Sequence, residues 1–223
     1  MKLSFGKSSM PFIISCLRDV NGGLSRIIIR RGEAFTGIFG RGKMRGYGIG
    51  YTKRTRSARR QKKGRHKHPT AGSLDSQSVK TTAVPSSRGF DAGKKIMGRK
   101  RHILVDTPCL MVALVVTTAC VQDRDGVKKL LRTCGVHRKK LRKVWVDGGY
   151  RGVVIEWVKS RFGYLLEVVL RSDDMKGFVV LPRRWVVERT FAWLNNHRRF
   201  SKDYERYTKT SEPMIQIAMM WFN

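Results

Sequence analysis

The stretch KVWVDGGYRGVVIEWVKSRFGYLLEVVL, residues 143–170, indicates the class of fold. Lys143 to Val146 is a short apolar strand that ends at Asp147, and Val153 to Phe162 is amphipathic with helical spacing. Tyr164 to Leu170 is a second apolar strand. Because a strand, a helix and a strand in this order build α/β sheets, we expect a sheet with helices on its faces.

Further elements lie on both sides of this unit. Three strands and a helix precede it, and two helices follow it. Turn residues at Asp106 to Pro108 join two of the strands into a hairpin. Three strands before the alternation predict a mixed sheet. The predicted strands are Ser73 to Thr81, Lys100 to Val105 and Leu110 to Thr117; the predicted helices are Asp125 to Cys134, Pro182 to about Arg198, and Met214 to Phe222.

The charge of the chain predicts a polyanionic partner. It holds 47 Lys and Arg against 16 Asp and Glu, a formal net charge of +31. No stretch approaches the roughly 20 apolar residues that span a bilayer, so nucleic acid is favoured over a membrane. Four cysteines without CxxC spacing argue against a zinc site and are typical of a reducing cytoplasm. We therefore expect a cytoplasmic, nucleoid-associated protein.

Residues 1–65 differ from residues 66–223, and we expect two segments. The first segment contains half of the 22 glycines and only two acids, Asp19 and Glu33, which predicts an irregular or disordered basic segment. Its last part, Lys53 to Lys67, is a basic run typical of a solvated tail or a phosphate-binding arm. His66 and His68 within it are interpreted as a solvated linker rather than metal ligands.

Three acids stand out in residues 66–223. Asp75 lies on the first predicted strand, Asp147 ends the strand after the first helix, and Glu188 lies within a later helix. An aspartate in an apolar strand needs a reason, and ligands gather at the strand ends of α/β sheets. The alternatives are a turn or helix cap for each aspartate and a surface ion pair for Glu188. Turn or cap roles account for the remaining candidates, Asp91, Asp106, Asp123 and Asp125.

Three clustered carboxylates in so basic a chain favour a bound cation. Hard oxygen ligands suit Mg²⁺ or Mn²⁺. Two such ions assist in-line cleavage of a phosphodiester, one at the attacking oxygen and one at the leaving oxygen. The sequence therefore predicts a two-metal site made by Asp75, Asp147 and Glu188.

Four motifs resemble bacterial insertion-sequence transposases of the DDE type, in the IS4-like or IS5-like group. They occur in the family's order over about residues 66–223. The motifs are LDSQSVKT at 74–81, GKKIMGRKRHIL at 93–104, VDGGYRG at 146–152, and RWVVERTFAWL at 184–194 followed by RRFSKDYE at 198–205.

This resemblance implies a ribonuclease H-like fold, Mg²⁺ at the three carboxylates, and cleavage at inverted-repeat ends followed by strand transfer. It also implies a double-stranded DNA substrate, both terminal repeats and target, and a homodimer on DNA. Three alternatives stay open: an inactive transposase relic, a ribonuclease H-like nuclease without strand transfer, and a nonenzymatic nucleic-acid binder.

Two positions depart from the family pattern. The Tyr expected two residues before Arg184 is absent, and the basic residue expected seven positions after Glu188 is replaced by Asn195. The resemblance assigns DNA contact to Arg184 and Arg189, with pairing to Glu188 or solvent as the alternative, and Trp193 either stacks on a base or packs in the core. Candidates to replace the missing basic residue are Arg198, Arg199 and Lys202.

Residues 1 to about 60 do not resemble the family's N-terminal region. That region carries a Gly-Cys-Gln-Trp-Arg-x-Leu-Pro stretch and a later stretch rich in Tyr and Trp. The adjacent reading frame permits the first stretch across Arg18 to Arg26 and the second across Phe35 to Gly48. We infer a frameshifted translation, with the native frame resuming before Gly64.

The nucleotide sequence tests this hypothesis. We expect the codons of Asp19 and Val20 to read Cys in the adjacent frame, and those of Asn21 and Gly22 to read Trp. Stop codons in that frame, or Arg at both positions, would rule the frameshift out.

Overall fold

The computed structural model describes residues 12–18, 24–29, 54–82, 87–134, 140–170 and 183–222. The chain divides into two units, Met1–Gly42 and Lys43–Asn223. In the first unit, strands β1 (Phe12–Arg18) and β2 (Leu24–Ile29) pair antiparallel. These strands were not predicted, since an irregular segment was expected. Most of the residues in the frameshift hypothesis lie outside the described ranges.

The second unit alternates strands and helices. Two single-turn 3-10 helices, Gly148–Tyr150 and Arg198–Phe200, connect larger elements. The larger elements are α1 (54–62), β3 (Ala71–Lys80), β4 (Gly89–Asp91), β5 (Ile96–Asp106), β6 (Met111–Thr118), α2 (Asp123–Thr133), β7 (Lys143–Val146), α3 (Val153–Phe162), β8 (Leu165–Val168), α4 (Trp185–Asn196) and α5 (Thr208–Phe222).

Strands β3 to β8 form one mixed sheet with β3 near its centre. β3 pairs antiparallel with β5 on one side and parallel with β7 on the other, and β7 pairs parallel with β8. β4 and β6 both pair antiparallel with β5. This order confirms the predicted mixed α/β sheet and is compatible with a ribonuclease H-like fold.

The sequence predicted most of these elements. The bounds of β7 and α3 are those expected, while β4 was missed because three residues are too short for a period-2 pattern. α5 begins at Thr208, six residues before the predicted Met214, and continues through Pro213. No helix in the described ranges is long and apolar enough to cross a membrane.

The apolar core lies between the sheet and helices α2 and α3. Strand residues such as Leu74, Leu104 and Val144 are completely buried there, and so are Val127 and Leu130 of α2. The helix faces that bury these residues carry the apolar positions at helical spacing, which explains why periodicity alone located them.

Helix α1 corrects the interpretation of Lys53 to Lys67 as a solvated run. Arg56 and Arg60 are buried within it. Arg56 donates to the Met111 carbonyl at 2.5 Å, and Arg60 pairs with Asp106 at 2.6 Å. Arg60, the partner of Asp106, lies 46 positions upstream of it. The local sequence therefore could not show that part of this basic run is buried against the sheet. Division of the chain at residue 65 had assigned α1 to the N-terminal segment, whereas α1 packs on β5 and β6.

Gly126 of α2 lies directly against the buried His102 of β5. A Cβ at this position would be 2.0 Å from the Cε1 atom of His102. The ring is held in place, since its Nε2 lies 3.1 Å from the Thr117 hydroxyl, and burial lowers its pKa to about 4. Only glycine allows α2 to approach β5 this closely.

We expect Gly126→Ala to destabilise the protein by about 1–3 kcal/mol, because the added methyl overpacks the interface by more than the gain in helix propensity offsets. Thermal unfolding measures the change as a fall in Tm. Gly93→Ala is the matched control, since its nearest non-neighbouring atom is at 3.6 Å. An unchanged Tm for Gly126→Ala would contradict the close contact.

Candidate active site

Asp75 lies in the middle of β3, opposite Ile103 of β5. Its Oδ1 accepts a hydrogen bond from the Ser76 amide at 2.7 Å, and its Oδ2 lies 3.3 Å from Nη2 of Arg184. The side chain is 17% exposed, so the carboxylate is held largely away from water. The predicted strand position of Asp75 is confirmed.

Asp147 directly follows β7, the parallel neighbour of β3. The register pairs Ser73 with Trp145, and two further residues along each strand lead to Asp75 and Asp147. Oδ1 of Asp147 accepts a hydrogen bond from the Gly149 amide at 2.9 Å and caps the short helix after it. One oxygen of Asp147 therefore caps a helix, as the alternative interpretation predicted. The strand register also brings Asp147 level with Asp75.

Glu188 lies in the first turn of α4 and is joined to Asp75 through Arg184. Nη2 of Arg184 is 3.6 Å from Oε1 of Glu188 and 3.3 Å from Oδ2 of Asp75. The Ser73 hydroxyl donates to the Arg183 carbonyl at 2.5 Å, which fixes the start of α4 against β3. The alternative that Arg184 pairs with Glu188 is confirmed, and its pairing with Asp75 was not foreseen.

The charges around Asp75 do not balance its burial. The pKa of Asp75 is raised from 3.8 to about 6, mainly by burial, and the nearby Asp147 carboxylate acts in the same direction. Hydrogen bonding from Ser76 and the charge of Arg184 act in the opposite direction without restoring the ordinary value. A net negative charge in this place favours either a proton or an additional cation.

The donor set suits a divalent cation, but the side chains are arranged around Arg184. Within the described ranges, no three His, Cys, Asp or Glu side chains are grouped closely enough to hold a metal ion. The three acids offer the hard carboxylate oxygens that Mg²⁺ and Mn²⁺ prefer. Asp75 and Glu188 would have to exchange the Arg184 guanidinium for the ion, and the predicted metal site stays a prediction.

Apart from Arg184, the predicted DNA-contacting residues fall into two groups. Arg189 is half-buried between the rings of Trp185 and Trp193, at 4.4 and 4.8 Å from their centroids, and donates to the Cys109 thiol. Trp193 is half-buried and contacts this guanidinium. The other three, beyond the end of α4, are exposed: Arg198, Arg199 and Lys202. Arg199 pairs with Glu205 at 2.6 Å.

Asp123 has a role that the sequence did not indicate. It was interpreted as a helix cap, but no side-chain cap is formed at the start of α2. Its Oδ1 instead accepts from the Ser76 hydroxyl at 2.7 Å and lies 3.1 Å from Nζ of Lys100. Ser76 also donates its amide to Asp75, so this network supports the backbone beside the carboxylate. The turn interpretations of Asp91 and Asp106 are confirmed by their bonds to the Lys94 and Leu110 amides.

Asn195 faces β3 near the same carboxylate. Its Oδ1 accepts a hydrogen bond from Nε2 of Gln77 at 3.1 Å. Gln77 lies two residues after Asp75, and residues two apart along a strand share one face. The position seven residues after Glu188 is therefore directed toward the site, as the motif spacing implied, although it carries an amide here.

Comparison with known proteins identifies the sequence as similar to transposases. The sequence profile of the family described as "Transposase DDE domain" matches residues 51–223. A protein described as a putative transposase for insertion sequence element IS402, from Burkholderia cepacia, is 29% identical over 116 residues, which is 49% of this chain and 54% of that protein. The chain thus spans about half the length of this curated relative.

The pKa of Asp75 predicts a pH-dependent cost in the metal-free protein. The pKa of Asp75 is higher in the folded protein than in the unfolded chain. The contribution of this carboxyl group to stability is therefore fully present below pH 3.8 and is lost as pH rises through about 6. We expect Asp75→Asn to stabilise the metal-free protein at pH 8 by up to about 3 kcal/mol, since each unit is worth about 1.4 kcal/mol.

Thermal unfolding at pH 8 and pH 4 with a chelator measures this effect. The gain in Tm should be large at pH 8 and small at pH 4. Asp125→Asn is the matched control, because Asp125 is exposed and pairs only with Lys128 in the described ranges. A loss of stability at both pH values would show that the ion pair with Arg184 outweighs the burial cost.

Proposed function

Because the chain belongs to the Transposase DDE domain family, we propose that it is a DDE-type DNA transposase that cleaves the ends of an insertion sequence and joins them to target DNA. The relative from Burkholderia cepacia that matches part of this chain is described as a putative transposase. We place the proposed chemistry in residues 66–223, as a ribonuclease H-like domain of the IS4-like or IS5-like group, with α1 packed against it.

The observation that supports the proposal is the way in which the sheet register and Arg184 relate three acids that are distant in sequence. The β3–β7 register brings Asp75 level with Asp147, and Arg184 links Asp75 to Glu188 of α4. These are the three acids of the family motifs, and they lie 72 and 41 positions apart in sequence. Surface ion pairs alone would not require Asp75 to be buried at a cost.

We assign the metal-binding role to Asp75, Asp147 and Glu188, with two Mg²⁺ or Mn²⁺ ions. Bound ions would supply Lewis-acid stabilisation of the attacking and leaving oxygens of the phosphodiester. The amides of Ser76 and Gly149 orient one oxygen of each aspartate, which leaves the other oxygen of Asp147 available as a ligand. Arg184, once exchanged from the carboxylates, is positioned to bind a phosphate beside them.

The proposed partner is double-stranded DNA, at the terminal inverted repeats and at the target. Three exposed cations follow α4, and we assign them to the phosphate backbone: Arg198, Arg199 and Lys202. We also propose a homodimer on DNA. If the N-terminal region is frameshifted, recognition of specific ends is lost or requires a product made from two frames, while the carboxylates are retained.

The test is Mn²⁺-dependent nicking and strand transfer on DNA that carries the element's own ends. We expect Asp147→Asn to lose both activities by more than about a hundredfold, because several kcal/mol of transition-state stabilisation are removed. The substitution keeps an oxygen for the Gly149 amide, so the fold should be retained. Glu156→Gln, an exposed substitution on α3, is the matched control and should be fully active.

Each other result selects an alternative. Nicking that depends on Asp147 without strand-transfer products would identify a ribonuclease H-like nuclease. A folded protein that neither nicks nor joins DNA would be an inactive relic. Activity that survives Asp147→Asn would overturn the assignment of the three carboxylates.

A further inference from the structure

Two basic runs that are far apart in sequence meet at one end of the sheet. The first leads from α1 into β3, and the second, KLRK at 140–143, leads into β7. The Thr70 carbonyl accepts from the amides of Arg142 and Lys143 at 2.7 and 3.3 Å, and Ala71 pairs with Lys143. Parallel pairing of β3 and β7 therefore brings the two runs together.

These runs form a groove without acidic residues. Its cavity of about 440 Å³ is bordered by His66, Lys67, His68, Thr70, Lys140 and Arg142. The sequence contains no Asp or Glu at 54–74 or at 126–146. Lys143 is paired with Glu167 and Arg60 with Asp106, so neither is assigned to the groove. No ion pair is shown for Lys67, Lys140 or Arg142 in the part of the chain that the structure describes.

Such a concentration of cations needs a counter-charge. Like charges held side by side repel each other, and no carboxylate of the groove relieves that repulsion. A duplex supplies one phosphate charge about every 1.7 Å of its axis, and its binding releases condensed counterions. Several exposed cations around one groove fit such a repeating polyanion better than a single small anion. Backbone hydrogen bonds hold the two loops together at Thr70.

The groove lies at the N-terminal ends of β3 and β7, before the positions of Asp75 and Asp147 along these strands. It borders the first residues of β3 and β7, whereas Asp75 lies four residues further along β3. Four residues of strand span about 13 Å. DNA in the groove would therefore contact the protein at a place separate from Asp75, Asp147 and Glu188.

We propose that this groove binds the phosphodiester backbone of duplex DNA at a second site, separate from the three carboxylates. It rests on the proposed function, in which strand transfer requires two DNA segments to be held at once. The groove holds the backbone of a duplex segment that is not at the carboxylates. It reads no base sequence, since cations on phosphates position DNA without specifying it.

The test is the salt dependence of DNA binding by a triple variant, Lys67→Gln, Lys140→Gln and Arg142→Gln. Anisotropy of a short fluorescein-labelled duplex without element ends is measured over a range of salt, with a chelator present so that no cleavage occurs. We expect the slope of log K against log salt to fall by about 2 to 3, because each lost phosphate contact removes about 0.9. The Gln side chains leave the backbone bonds to Thr70 in place, so Tm should be unchanged.

The matched control removes the same charge from other exposed positions: Lys159→Gln, Arg161→Gln and Lys209→Gln. Its slope should stay near that of the unmodified protein. Equal falls in both triple variants would overturn the proposal, since net charge alone would explain them. So would a loss confined to single-stranded RNA with duplex binding unchanged.

The nicking assay separates this proposal from the proposed function. If the protein binds duplex DNA through the groove but neither nicks nor joins DNA, the second site is supported and the proposed transposase activity is overturned. If the unmodified protein nicks DNA normally and the groove variant keeps the full salt slope, the proposed activity is supported and the second DNA site is ruled out.

Discussion

Four consecutive basic side chains of β5, Arg99 to His102, are buried in the middle of the sheet, and their partners organise both of its faces. An unpaired buried charge costs several kcal/mol, so each guanidinium and ammonium must find oxygen atoms. Arg99 bonds Asp203, the Ser211 hydroxyl and the carbonyls of Glu205 and Arg206, which fixes the approach to α5. On the other face, Lys100 lies between Asp91 and Asp123.

The same constraint determines where α4 lies. Arg101 donates to the carbonyls of Phe200 and Lys202, directly after the helix that carries Glu188. The other end of that helix is tied to β3 by Ser73 and Arg184. The buried Arg101 therefore positions the end of the helix, and Ser73 and Asp75 of β3 hold its start. The basic motif from Arg99 to His102 acts here through packing.

Charge is distributed unevenly along the strands. Asp75 lies in the middle of β3 and Asp147 directly follows β7, whereas the exposed Lys67, Lys140 and Arg142 lie just before these strands begin. Parallel pairing produces this separation, because it places equivalent ends of both strands on the same side. A polyanion can then approach the sheet from its basic end while the carboxylates remain available to a cation. Arg184 balances part of the negative charge of Asp75 and Glu188 in this structure.

The sequence by itself determined the alternation of strands and helices, since period and turn residues are local, and the motifs indicated Asp75, Asp147 and Glu188. It could not show that Arg56, Arg60 and the β5 cations are buried, or that Asp123 supports Ser76 rather than capping α2. Burial of a charge depends on partners that lie up to 107 positions away in the chain. Only the tertiary structure brings those partners within reach, because desolvation and pairing are properties of the packed chain and not of its local pattern.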